Sequence, residues 1–161
     1  MMAASNYKPV GGVESCALYP ADAVVMALFS SEGCKIQLSG TPVEVTLLDD
    51  ASKYDEESSL KDGVASISHT LCLVAERGRA DEWLDNAFVE RAAFEGFVAV
   101  ISMSDGRRLL AGYSVQLGDE QPLRLEKISS TSGVNLHDTP SVLLQLTSQD
   151  ADFSPEILEI V

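Results

Sequence analysis

Residues 64–75, VASISHTLCLVA, decide the fold class. Ala65, Ile67, Leu71 and Leu73 hold the odd positions, and Ser66, Ser68 and Thr70 hold even ones. Successive side chains of a strand point to opposite faces, so a period of two marks a long strand with one face in a core. His69 lies in the apolar phase between Ile67 and Leu71, where a buried histidine satisfied by a hydrogen bond is the expectation. Cys72 lies in the other phase, which argues against a nucleophilic dyad with His69.

Downstream the pattern changes. Over residues 80–95, Leu84, Ala87, Phe88, Arg91 and Ala92 recur at helical spacing, with the arginine stem able to lie along the apolar stripe. Asp81, Glu82 and Asp85 favour the positive end of a helix dipole, and Gly96 supplies a stop. This is the one principal α-helix that the sequence predicts, with Trp83, Phe88 and Phe94 read as core. A hairpin follows: an apolar strand over residues 97–103, Asp105-Gly106 as two residues that tolerate positive φ, and a return over 107–115. Residues 121–128 read as a strand, 129–133 as a turn, and 141–148 as a strand with Val142, Leu144 and Leu146 on one face. Residues 149–161 read as an acidic tail.

Upstream, residues 48–63 lack both hydrophobic periods. Asp49, Asp50, Asp55, Glu56, Glu57 and Asp62 outnumber Lys53 and Lys61 there, so the segment reads as a mobile acidic loop. It is either idle and solvated or ordered by a neighbouring subunit. Val43, Val45 and Leu47 alternate with Glu44 and Thr46 as a strand does. Residues 11–19 read as a weaker strand, and the apolar run 21–29 as strand or helix. The expected fold is α+β, a mostly antiparallel sheet of sandwich or barrel type in a single domain, residues 1–161.

Composition narrows the function. The 161 residues are 45% hydrophobic and 22% charged, the balance of an ordinary globular chain. Net charge is −14, which repels phosphate backbones and anionic lipid, so no direct nucleic-acid or membrane partner is expected. Arg77, Arg79, Arg107, Arg108 and Arg124 read as solvated loop arginines rather than a basic patch. Cys16, Cys34 and Cys72 are odd in number and scattered, as in a reducing compartment. The opening residues 1–12 lack an apolar core of signal-peptide length, and no apolar stretch of ~18 residues occurs. The expected location is the cytoplasm, or a particle assembled there.

The sequence carries none of the familiar catalytic or metal-binding patterns. Starting at Asp50, an EF-hand needs glycine where Asp55 stands and a bidentate acid where Lys61 stands. Ser58 and Lys61 make an S-x-x-K without its companion elements. His69 and His137 lack neighbouring metal ligands, and His137 with Asp138 beside Pro140 reads as structural. No phosphate loop or nucleophile elbow is present. No cofactor, metal or catalytic residue is expected.

The order of elements is nonetheless suggestive. A long strand and a helix precede FVAVISMSDGRRLLAGYSV (97–115), a strand in EQPLRLEKISSTSG (120–133) and a last one in HDTPSVLLQLTSQD (137–150). Over residues 63–150 this order resembles bacteriophage virion proteins of the tail-tube or tail-associated kind. The resemblance implies a β-dominated, non-enzymatic, homo-oligomeric structural protein with long acidic loops, and it transfers no individual residue. Ring assembly uses heterologous contacts through sheet edges and extended loops. The predicted subunit contacts are therefore Asp55, Glu56 and Glu57 in the acidic segment and Asp105 and Gly106 in the hairpin. Rival readings are a stand-alone β-rich module binding a small ligand or protein, and an enzyme whose acidic loop supplies carboxylates.

Overall fold

The computed structural model describes residues 12–48, 51–132 and 140–161, without the side chains of Lys61 and Ala65. The predicted long strand is β6 (Val64–Glu76), 13 residues through the middle of a first antiparallel sheet. Ile67, His69, Leu71, Leu73 and Ala75 are buried. Its neighbours are β5 (Lys53–Lys61) on one side and β10 (Ser141–Asp150) on the other, with β9 (Arg124–Thr131) beyond β10. Register stacks leucine on leucine: Leu71 faces Leu146, Leu73 faces Leu144, and Ala75 faces Val142.

A second sheet has the order β4 (Val43–Val45), β1 (Val13–Pro20), β7 (Phe97–Met103), β8 (Arg108–Ala111). Phe97, Ala99 and Ile101 share an apolar core with Leu18, Leu71, Leu73, Leu144 and Leu146. The opposite face of β7, Val98 and Val100, joins Leu110 in a second core against a third sheet. That sheet has the order β11 (Ile157–Ile160), β3 (Cys34–Leu38), β2 (Val24–Phe29) and contributes Cys34, Ile36 and Ile157. Burial on both faces explains why β7 reads as an unbroken apolar run. β2 and β3 form an antiparallel hairpin and β11 joins β3 in parallel, so the ambiguous run 21–29 is a strand from Val24.

The structure departs from the sequence expectations at several places. The acidic segment is not a loop: Lys53–Lys61 is strand β5, paired with β6 along its whole length. Asp62 (φ 53°) and Gly63 (φ 78°) form the two-residue connection, both left-handed as a primed hairpin turn requires. The hydrophobic period is missing because β5 lies at a sheet edge and its inward positions include Tyr54 and Glu56, which make polar contacts. The C-terminal segment is not a tail: it ends β10, crosses the molecule as a strap and adds β11 to the third sheet. Residues 129–131, read as a turn, continue β9.

The helix is shorter and broken. α1 (Arg77–Ala80) is one turn, and α2 (Asn86–Glu90) runs into a π-helical turn, Arg91–Glu95. Asp85 is extended and its side chain accepts from Phe88 N at 2.8 Å, so it starts α2 instead of continuing a helix through 81–85. Phe88 and Ala92 plug the first core, Trp83 meets Phe88 edge-on at 4.9 Å, and Arg91 lies 5.5 Å from the Phe97 ring centroid. Phe94, read as core, is exposed because it faces away from the plug. Gly96 ends the element at φ 80°, where a β-carbon would sit 2.8 Å from Leu123 O. Residues 1–11, Asp49, Asp50, Gly133, His137 and Asp138 lie outside the described residues.

Candidate functional site

The five predicted contact residues lie on two different sheets. Asp55, Glu56 and Glu57 belong to β5 in the first sheet, whereas Asp105 and Gly106 turn the β7–β8 hairpin of the second. Asp55 and Glu57 are exposed, and Asp55 pairs with Lys53 at 3.2 Å. Asp105 is turned back on its own hairpin: Oδ1 accepts from Arg107 N at 3.0 Å and Oδ2 from Arg107 Nε at 2.9 Å. These bonds, the backbone one foremost, hold its carboxyl below the usual range. Only Gly106 of that pair has positive φ, at 94°.

Glu56, on the inward side of β5 with its side chain 17% exposed, reaches a polar cluster around His69. The histidine is 3% exposed, as its place in the apolar phase predicts. Its Nε2 lies 2.9 Å from Asp152 O, a carbonyl that can only accept, so Nε2 carries the proton. In the neutral ring Nδ1 then accepts from Tyr54 Oη at 2.6 Å, and Tyr54 Oη accepts from Ser154 Oγ at 2.5 Å. Glu56 Oε2 takes the Ser154 backbone N–H at 2.7 Å and lies 3.4 Å from Nδ1.

Electrostatics follow from burial. Loss of water raises the Glu56 pKa, opposed by the Ser154 N–H and, when the ring is protonated, by His69. Burial, followed by the Glu56 charge, raises that of Tyr54. Buried Cys16 is pushed up to about 12, and burial also raises Cys34 and Cys72, so these thiols stay protonated at neutral pH.

The cluster ties the crossing strap to β5 and β6. Ser154 Oγ is 3.4 Å from Nδ1, but the closer Tyr54 hydroxyl occupies that lone pair. The strap is also held by Leu110 N to Pro155 O at 3.0 Å and Cys34 N to Glu156 O at 2.8 Å.

Two surfaces remain. A groove of about 510 Å³ lies on the second sheet, with Ser15, Ala17, Glu44, Val100, Ser102 and Arg108 among its lining. These residues share the face whose other end packs under the third sheet. On the third sheet, Val25, Met26 and Leu28 of β2 and Leu158 and Ile160 of β11 are exposed apolar side chains, followed by Val161. Lys35 and Glu159 on neighbouring strands pair with each other at 3.8 Å. Neither surface was apparent in the sequence: the groove comes from register, and β2 was ambiguous. Among the described residues no helix is long and apolar enough to cross a membrane, and no group of three or more His, Cys, Asp or Glu is placed to hold a metal. No family model, curated protein or solved structure matches the chain.

Proposed function

We propose that this chain is a non-enzymatic structural protein that acts through homo-oligomeric contacts, as a component of a phage-type virion assembled in the cytoplasm. In this reading the two packed four-stranded sheets form an α+β sandwich flanked by α2, and the third sheet faces a neighbouring subunit. The carrying observation is the group of exposed apolar side chains on that small sheet. Single exposed apolar residues are ordinary, but several gathered on one small sheet mark an interaction surface. The virion assignment rests on the order of elements over residues 63–150, and an acidic surface suits a particle through which DNA must pass.

The test is light scattering coupled to size exclusion over a hundredfold concentration range. A discrete oligomer, or growth with concentration, supports the reading; a 17.2 kDa monomer throughout refutes it. The groove favours a second reading, a stand-alone module that binds a small ligand. At about 510 Å³ it falls within the usual range for ligand pockets, and Glu44 and Arg108 offer it both signs of charge.

A further inference from the structure

We infer that the open edge of β2 is a self-association seam, where the same strand of a second copy of this chain pairs antiparallel across a two-fold axis. This names the partner and the surface for the oligomeric reading above and rests on it.

Six strands lie at sheet edges among the described residues: β4, β8, β5, β9, β2 and β11. Five of them carry ionisable side chains, namely Glu44 on β4, Arg108 on β8, Asp55 on β5, Arg124 on β9 and Glu159 on β11. β2, VVMALF, carries none. In a chain of net charge −14, most surface brought against its own copy sets carboxylate against carboxylate. The third sheet avoids this, because its strands hold one lysine and one glutamate and these pair with each other. A basic partner would be drawn to the acidic faces, whereas β2 itself carries no charge, Asp22 and Glu32 lying beyond its two ends. A neutral, apolar edge is complementary to itself.

Geometry agrees. An edge strand leaves alternate N–H and C=O groups unpaired, and protective charges or prolines usually blunt it. β2 has no charge or proline, and its one bulge, a register shift between Val24 and Met26, is confined to its start and leaves Met26–Phe29 regularly paired with β3. Phe29 stacks on Tyr113 at 6.2 Å and anchors that end of the strand. A two-fold axis through an edge strand generates an isologous contact in which each residue meets its own counterpart set. Pairing would join two third sheets into one continuous sheet and set Val25, Met26 and Leu28, which are 60%, 40% and 58% exposed, beside the same apolar side chains of the copy.

The experiment compares wild type, Leu28→Lys, Leu28→Glu, an equimolar mixture of these two, and Leu60→Lys by size exclusion with light scattering. Circular dichroism checks the fold of each. Leu60 is the control, 76% exposed but on β5 in another sheet. The expected result is a wild-type oligomer that either Leu28 variant weakens by about a hundredfold or more, since the seam then holds the new charge of each copy near its like on the other. Mixing the lysine and glutamate variants restores association, and Leu60→Lys leaves it unchanged. A wild-type oligomer indifferent to Leu28→Lys, or no recovery on mixing, overturns the β2 seam while leaving the oligomeric reading intact. A wild-type monomer at every concentration overturns both.

Discussion

Replacing Tyr54 by phenylalanine tests whether the polar cluster fastens the strap. The substitution keeps the ring and so opens no cavity, but it removes the hydroxyl that gives His69 Nδ1 its bond at 2.6 Å and accepts from Ser154 at 2.5 Å. A buried protein hydrogen bond is worth about 1 kcal/mol net, and a buried acceptor left unpaired costs about 1–3 kcal/mol. Ser154 Oγ, 3.4 Å from Nδ1, can turn to donate directly and recover part of this. The expected loss is therefore about 2 kcal/mol, or about 4–8 °C in Tm for a domain of this size. Thermal unfolding followed by circular dichroism measures it, with Tyr113→Phe as control, since the Tyr113 ring stacks on Phe29. That control should fall within about 0.5 kcal/mol of wild type. A cycle with Ser154→Ala should show coupling of at least about 0.5 kcal/mol, because the two hydroxyls share one chain of bonds. If Tyr54→Phe matches Tyr113→Phe, or if the double variant is strictly additive, the cluster does not fasten the strap.

The pH dependence has a definite sign. Glu56 has its pKa raised in the folded state, so its contribution to stability is fully present below its unfolded value and is lost as pH rises through the folded one. Glu56→Gln mimics the protonated carboxyl and can still accept from Ser154 N, so it should melt above wild type at pH 8 and converge with it in acid; a Tm difference independent of pH would contradict this. Gly96→Ala should cost about 2 kcal/mol or more, because φ 80° is strained for alanine and its β-carbon meets Leu123 O at 2.8 Å. Denaturant titration measures that loss, and an unchanged midpoint would show that the Gly96 turn relaxes freely.

Legibility followed burial chemistry. β6, β7 and β10 could be read because their inward positions are aliphatic, alternating in β6 and β10 and continuous in β7. β5 could not, because two of its inward positions are Tyr54 and Glu56, whose burial is compensated by hydrogen bonds and leaves no hydrophobic period. Its connection to β6 was nevertheless signalled by Asp62-Gly63, the same dipeptide that marked the hairpin at Asp105-Gly106. High local charge outweighed that signal. His69 was legible as a buried histidine, but its partners were not: Ser154 is 100 positions from Tyr54, and only the path of the strap brings them together. The helix is shorter than its apolar spacing implies because Asp85, whose charge suits the first turn of a longer helix, caps the start of α2.

The sheets also impose an order in time. Cys16 of β1 faces Ile101 of β7, and Cys34 of β3 faces Ile157 of β11. Each pairing closes most of the intervening chain into a loop whose entropy is lost before the contact gives anything back. Such topology folds in roughly milliseconds to seconds rather than microseconds. On a ribosome the β2–β3 hairpin would emerge early and then wait, its apolar face open, until the residues of β7 had been made and those of β11 after them. The interval in which Val24–Phe29 lacks its cover is thus set by translation speed, and chaperones would meet this chain there first.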